Sequence, residues 1–181
     1  YPVTVDPTFC RFAVGGTQAS QPGDGVVCYR SAAPENGSIT DVSMFADFGA
    51  SGNNNAAGGI YNDNTSPVLL FNQGSEVTYT SSTGTWATST ISTTFPQITT
   101  GTFFNICFLW DGAIDLYRDA IDVDASVSST SIYPTWPDPL GTTETTNSYS
   151  IYATYTVAAA HTDTQFLINS QTIINSQVVA P

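Results

Sequence analysis

The densest set of potentially reactive side chains is acidic. Asp111, Asp115, Asp119, Asp122 and Asp124 fall in one short stretch. Carboxylates are hard oxygen ligands, and Ca²⁺ takes six to eight oxygens, so this run is the candidate cation site. It lacks the Asp-x-Asp-x-Asp-Gly loop that wraps such an ion, and a solvated acidic hairpin is the plainer reading. Paired carboxylates also cleave glycosidic bonds, but Glu35, Glu76 and Glu144 are scattered along the chain. A hydroxyl nucleophile needs an adjacent base, and the one imidazole, His161, lies in the polar stretch AAAHTDT. Three cysteines without a CxxC pair, together with a single histidine, do not make a thiolate or imidazole metal site. Tyr133 and Trp136 sit among prolines in YPTWPDP. Rings held on such a loop can stack on sugars; alternatively they cover the end of the fold or a neighbouring subunit. This inventory predicts neither an enzyme nor a cofactor.

Composition narrows the partners. The chain has 181 residues, the size of one ordinary domain with a real core. Only 10% of residues are charged, 41% are hydrophobic, and the formal net charge is -12 with a pI near 4.1. All three cations are arginines: Arg11, Arg30 and Arg118. Such a surface repels phosphate backbones, which excludes a nucleic-acid partner. No apolar run of about 18 residues is present, so no membrane insertion is expected. Serine and threonine, roughly a quarter of the chain against a lower usual share, supply the solubility that charge does not. Few charges and many hydroxyls suit a secreted, extracellular or cell-surface protein, and a chain starting Tyr1-Pro2 reads as a processed product. Asn36-Gly37-Ser38 and Asn64-Thr65-Ser66 are glycosylation sequons in turn-like contexts, so Asn36 and Asn64 are the candidate glycan acceptors. Cys10 and Cys28 lie in neighbouring strand-like runs, TFCRF and VVCYR, and are expected to pair across a hairpin, with Cys107 a buried core thiol. Pairing of Cys28 with Cys107 is the alternative.

The elements that must position these groups are strands. Gly, Asn, Pro and Ser/Thr interrupt β-branched and aromatic runs every 8–12 residues or so, the pattern of an all-β sandwich. In SITDVSMFADF, Val42, Met44, Ala46 and Phe48 point one way and Ser43 and Asp47 the other. TFFNICFLW (Thr102–Trp110) is apolar on both faces, as a central strand covered on both sides should be. NSYSIYATYTV turns Tyr149, Ile151, Ala153, Tyr155 and Val157 to one side. Further strands are expected at Gly25–Ser31, Ala57–Asn62, Glu76–Thr80, Trp86–Thr94 and Ile114–Arg118. Asn53-Asn54-Asn55, Asn62-Asp63-Asn64 and Asp111-Gly112 read as turns. Tyr133–Pro139 reads as a rigid loop, since proline removes donors that a sheet needs. The fold expected is a two-sheet antiparallel β-sandwich, jelly-roll or immunoglobulin-like, with strand-forming extensions at both ends.

Particular residues between Gly25 and Tyr155 resemble a recurrent β-sandwich module of archaeal and bacterial secreted and surface proteins. They are Gly59-Ile60-Tyr61-Asn62-Asp63-Asn64, with Gly where that module has Ala, then Pro67, Leu69-Leu70, Glu76-Val77-Thr78 and Trp86. Gly101-Thr102-Phe103, Asp111-Gly112, Leu116-Tyr117-Arg118-Asp119, Pro137-Asp138-Pro139 and the segment Asn147–Tyr155 complete the match. The resemblance covers about three quarters of the chain and implies a structural module of extracellular proteins with no active site.

On that division residues 1–156 form the module with a short amino-terminal extension, and 157–181 form a strand-like tail. A donated strand needs extended residues whose alternate side chains fill a groove while the main chain completes a sheet. The tail offers Phe166, Ile168, Ile174 and Val178; the amino end offers Tyr1, Val3 and Val5 but carries Pro2 and Pro7. An uncharged edge strand is an aggregation hazard unless covered. The expected function is therefore a structural subunit of an extracellular, pilus-like homopolymer joined by strand exchange, with copies of itself as partners. The alternatives are a carbohydrate-binding or adhesin module with extracellular glycans as partners, and a virion or surface-layer component.

Overall fold

The computed structural model describes residues 7–21, 23–49, 54–63, 69–79, 83–91, 97–120, 126–129, 131–141, 144–145 and 147–157. They contain strands and turns and no helix. The strands are β1 (Thr8–Cys10), β2 (Thr17–Gln21), β3 (Gly25–Ala32), β4 (Gly37–Asp47), β5 (Asn54–Asn62), β6 (Leu69–Gln73), β7 (Val77–Tyr79), β8 (Thr85–Thr90), β9 (Gln97–Ile98), β10 (Phe103–Trp110), β11 (Ile114–Ala120), β12 (Ser126–Ser129), β13 (Glu144–Thr145), β14 (Asn147–Tyr149) and β15 (Ile151–Val157).

They form two antiparallel sheets packed as a β-sandwich. Sheet I runs β1-β15-β4-β11-β14, with β2 beside β11 and both β8 and β9 beside β4. Sheet II runs β13-β12-β3-β10-β5-β6, with β7 beside β5. β10 is the central strand of sheet II and pairs along its length with β3, Phe103↔Ala32 to Trp110↔Gly25, and with β5, Phe104↔Asn62 to Trp110↔Ala56.

Alternation decides what each sheet buries. From sheet I, Ile39, Val42, Met44 and Ala46 of β4 and Ile151, Ala153 and Tyr155 of β15 point inward. From sheet II they meet Val27, Ile60, Phe104, Ile106, Phe108 and Trp110. The inward positions expected in β4 and β15 are buried, except Val157, which is 49% exposed at the end of its strand. β10 is apolar on both faces, and both faces are covered. Its second face carries Cys107 and Leu109 into a separate cluster with Val26, Cys28, Ala57, Tyr61, Trp136 and Leu140.

Two turn expectations change. Asn54 and Asn55 belong to β5, because the strand is held to β7 from its first residue, Asn54↔Tyr79. Strand β5 also runs through Gly59–Asn62, so the turn begins only at Asp63. Asp111-Gly112 does link two strands, with Gly112 at φ +71°, a left-handed conformation that glycine adopts without steric cost.

Ile106 is fully buried where the two sheets meet. Ile106→Ala should lower unfolding stability by about 2–5 kcal/mol through lost burial and a residual cavity. Val157→Ala, at an exposed strand end, should stay within about 0.5 kcal/mol; denaturant unfolding of both variants reads the contrast.

Candidate functional site

The cysteines are placed differently from the expectation. The disulfide joins Cys28 to Cys107, and Cys10 is free. Cys10 lies in β1 of sheet I beside Tyr152, whereas Cys28 lies in β3 of sheet II. Cys28 and Cys107 stand directly opposite each other in the β3–β10 ladder, on the face turned away from the main core. Cys107 is therefore buried, but as half of a disulfide and not as a thiol. Burial pushes the Cys10 thiol well above its ordinary pKa, only partly offset by a hydrogen bond with Ser31. A structural disulfide points to an oxidising, extracytoplasmic environment.

The proline loop covers that disulfide. Trp136 is 9% exposed, and its ring lies against Gly59, where a Cβ would come within 2.5 Å of it. The Tyr61 hydroxyl donates to the Pro137 carbonyl at 2.6 Å, and the Leu70 N–H donates to Asp138 Oδ1 at 3.1 Å. The Tyr133 hydroxyl donates to Glu76. Burial and then the Glu76 carboxylate raise the Tyr133 pKa, while burial and then Asp138 raise that of Tyr61. Both hydroxyls therefore stay protonated as donors. The peptide bonds before Pro134 and Pro139 are cis. Trp136 thus faces inward as the lid of the second cluster and offers no open face to a sugar, and Tyr133 is half-buried beside it.

The acidic residues do not converge. Asp111 accepts from the Asn55 N–H at 2.6 Å and side-chain amide at 3.1 Å, tying the β10–β11 turn to β5. Asp115 accepts from Gln18 at 2.8 Å. Asp119 pairs with Arg11 and accepts from the Gly16 N–H at 2.7 Å. Among the described residues no group of three acidic, histidine or cysteine side chains could hold a metal; Asp122 and Asp124 lie outside them. Asp63 similarly joins Arg30 at 2.5 Å and Asn105 at 3.3 Å, with the Arg30 guanidinium over the Phe103 ring.

Asn36 is exposed between β3 and β4, its carbonyl oxygen accepting from the backbone and hydroxyl of Thr100. An exposed turn position is what a glycan acceptor requires. Asn64, the amino-end residues Tyr1, Val3 and Val5, and the tail residues Phe166, Ile168, Ile174 and Val178 all lie outside the described residues.

Where the two ends join the body is described. Among the described residues β1 is an edge strand of sheet I and pairs only with β15, Thr8↔Thr154 to Cys10↔Tyr152. The Tyr155 N–H donates to the Pro7 carbonyl at 3.1 Å, so the chain enters beside the point at which β15 ends. A groove of about 390 Å³, lined by Ile39 and Ile91 with Asp41 and the hydroxyls of Ser38, Thr40, Thr90 and Thr156, opens beside the last residues of β15.

Sheet I also carries an aromatic group on its outer face that was not singled out from the sequence. Phe45 packs edge-to-face on Trp86 and on Tyr117, and Trp86 does the same on Tyr152. Phe45 occupies an outward position of β4, one that could have been read from the alternation already used for Val42, Met44 and Ala46. Comparison with protein-family models and with curated proteins finds no match.

Peptide mapping without reduction should recover Cys28 linked to Cys107. Cys10 should alkylate slowly near pH 8 and rapidly once the protein unfolds, because its folded thiol holds its proton at that pH. A Cys10–Cys28 linked peptide would contradict the assignment.

Proposed function

We propose that this protein is a structural subunit of an extracellular homopolymer whose copies join by strand exchange at the β1–β15 edge of sheet I. The observation that carries the reading is that, among the described residues, this edge is closed only by β1, three residues long, at the place where both chain ends meet the body. A short edge strand leaves main-chain donors and acceptors open to another strand.

Two observations favour the carboxy-terminal tail over the amino end as the donor. From Pro7 onward the amino-terminal chain is already bonded to its own β15, and Phe9 is 5% exposed against Tyr155 in the core. The tail, in contrast, follows an exposed Val157 and carries Phe166, Ile168, Ile174 and Val178 between asparagines and glutamines. The groove beside Thr156 has Ile39 and Ile91 at its floor among hydroxyl side chains and Asp41, a mixed lining that suits the tail's alternation of apolar residues with asparagine and glutamine. A head-to-tail contact of this kind does not close on itself and propagates as a filament. The disulfide, the scarcity of charge and the exposed Asn36 sequon suit a secreted, cell-surface fibre that outlasts proteases.

Deleting Thr164–Pro181 should yield a folded monomer that forms no filaments in negative-stain images, under conditions in which the full chain assembles. Filaments that persist after the deletion would count decisively against the tail as donor.

A further inference from the structure

The outer face of sheet I differs from every other aromatic region described. Phe9 with Tyr155, and Phe48 with Tyr79, have at least one ring buried in the sandwich core. Phe45, Trp86, Tyr117 and Tyr152 are each half-buried, and they lock one another edge-to-face. Ser43, opposite Tyr152 in the ladder, points outward yet is only 1% exposed. The rings are therefore held in place before any ligand arrives.

What surrounds them is hydroxyl and not aliphatic. Across β15, β4 and β8 the outward register places Tyr152, Ser43 and Thr88 in one row and Thr154, Asp41 and Thr90 in the next, with Phe45 facing Trp86. Ser43 and Thr88 share a hydrogen bond of 2.8 Å, and Thr90 donates to Asp41 at 3.0 Å. Across β11 and β2, Tyr117 stands opposite Gln18, which donates to Asp115 at 2.8 Å. No leucine, isoleucine or valine occupies these outward positions. Aromatic rings also serve protein interfaces, but here hydroxyl, amide and carboxylate side chains border them where a protein interface would continue in apolar surface. A polyanion would meet carboxylates: the chain has no lysine, and of its three arginines Arg11 and Arg30 are already paired with Asp119 and Asp63, leaving Arg118 against a net charge of -12.

We propose that this face, centred on Trp86, is a binding site for a neutral carbohydrate chain. Pyranose rings present apolar C–H faces and a rim of hydroxyls. Amphipathic aromatic rings bordered by threonine, glutamine and aspartate match both parts. The site is centred on Trp86, on the face of sheet I; Asp41 and Thr90 at its margin also line the groove beside Thr156. It does not depend on the assembly reading. It also moves sugar stacking away from Trp136, whose ring is enclosed.

Tryptophan fluorescence tests the site directly, because Trp110 and Trp136 are 3% and 9% exposed and Trp86 is the tryptophan on the open face. The full chain is titrated with linear gluco-, manno-, xylo- and galacto-oligosaccharides and with polygalacturonate as an anionic control. The expected result is a saturable change with at least one neutral sugar and none with the polyanion. Trp86→Ala, and independently Tyr152→Ser, should each weaken binding about tenfold or more while circular dichroism and the disulfide are unchanged. With Trp86→Ala, binding is followed by calorimetry. Trp136→Phe should leave binding intact. The proposal is overturned if no neutral sugar binds, if binding survives both substitutions, or if the polyanion binds as well. It is equally overturned if the face instead mediates a concentration-dependent dimer that Trp86→Ala abolishes.

Discussion

Strand β10 is apolar on both of its faces, and covering both is the constraint on which the structure depends. One face, through Phe104, Ile106, Phe108 and Trp110, is met by sheet I. The other would leave Cys107 and Leu109 in water if the sandwich ended at two layers. The proline loop supplies the missing cover. That requirement explains the backbone at Gly59, where the Trp136 ring occupies the space of a side chain, and the buried Tyr61, whose hydroxyl must find a carbonyl and takes that of Pro137. The disulfide sits under the same cover and cross-links β10 to its neighbour β3 at the middle of the sheet.

This arrangement was legible in the sequence to different depths. The unbroken apolar run in FFNICFLW announced a strand buried on two sides, and the alternation in β4 and β15 identified the inward residues. The cysteine pairing was not legible by proximity along the chain. Partners 79 residues apart become neighbours only once β3 and β10 are aligned, and short-range reading favours the nearer cysteine. Trp136 was ambiguous for a related reason. A tryptophan in a proline loop looks the same in sequence whether its ring turns toward solvent or toward Gly59, and only the need to cover the second face of β10 decides. The outer aromatic face was missed although its periodicity was available. Phe45, Trp86, Tyr117 and Tyr152 come from four different strands, and their convergence depends on sheet order.

The described body therefore separates its outward surfaces. Among the described residues the β1–β15 edge ends in a strand of three residues, at the place where the described chain begins and ends. The outer face of sheet I has closed main chain and carries its chemistry on rings and hydroxyls. An edge is suited to another strand, because its row of unpaired N–H and C=O groups is a template for backbone pairing. A face with its backbone already paired is suited to side-chain recognition. With a net charge of -12 and no lysine, neither surface attracts anionic partners.

The central claim, that copies join through a strand outside the sandwich body, is tested most directly by hydrogen exchange of the amides in residues 158–181. The measurement compares dilute monomer with assembled protein. Pairing in the sheet of a neighbouring copy predicts alternating amides of the tail that become slow only on assembly, together with new protection along the β1–β15 edge. Equal exchange of the tail in both states, or protection already complete in the dilute monomer, would contradict it.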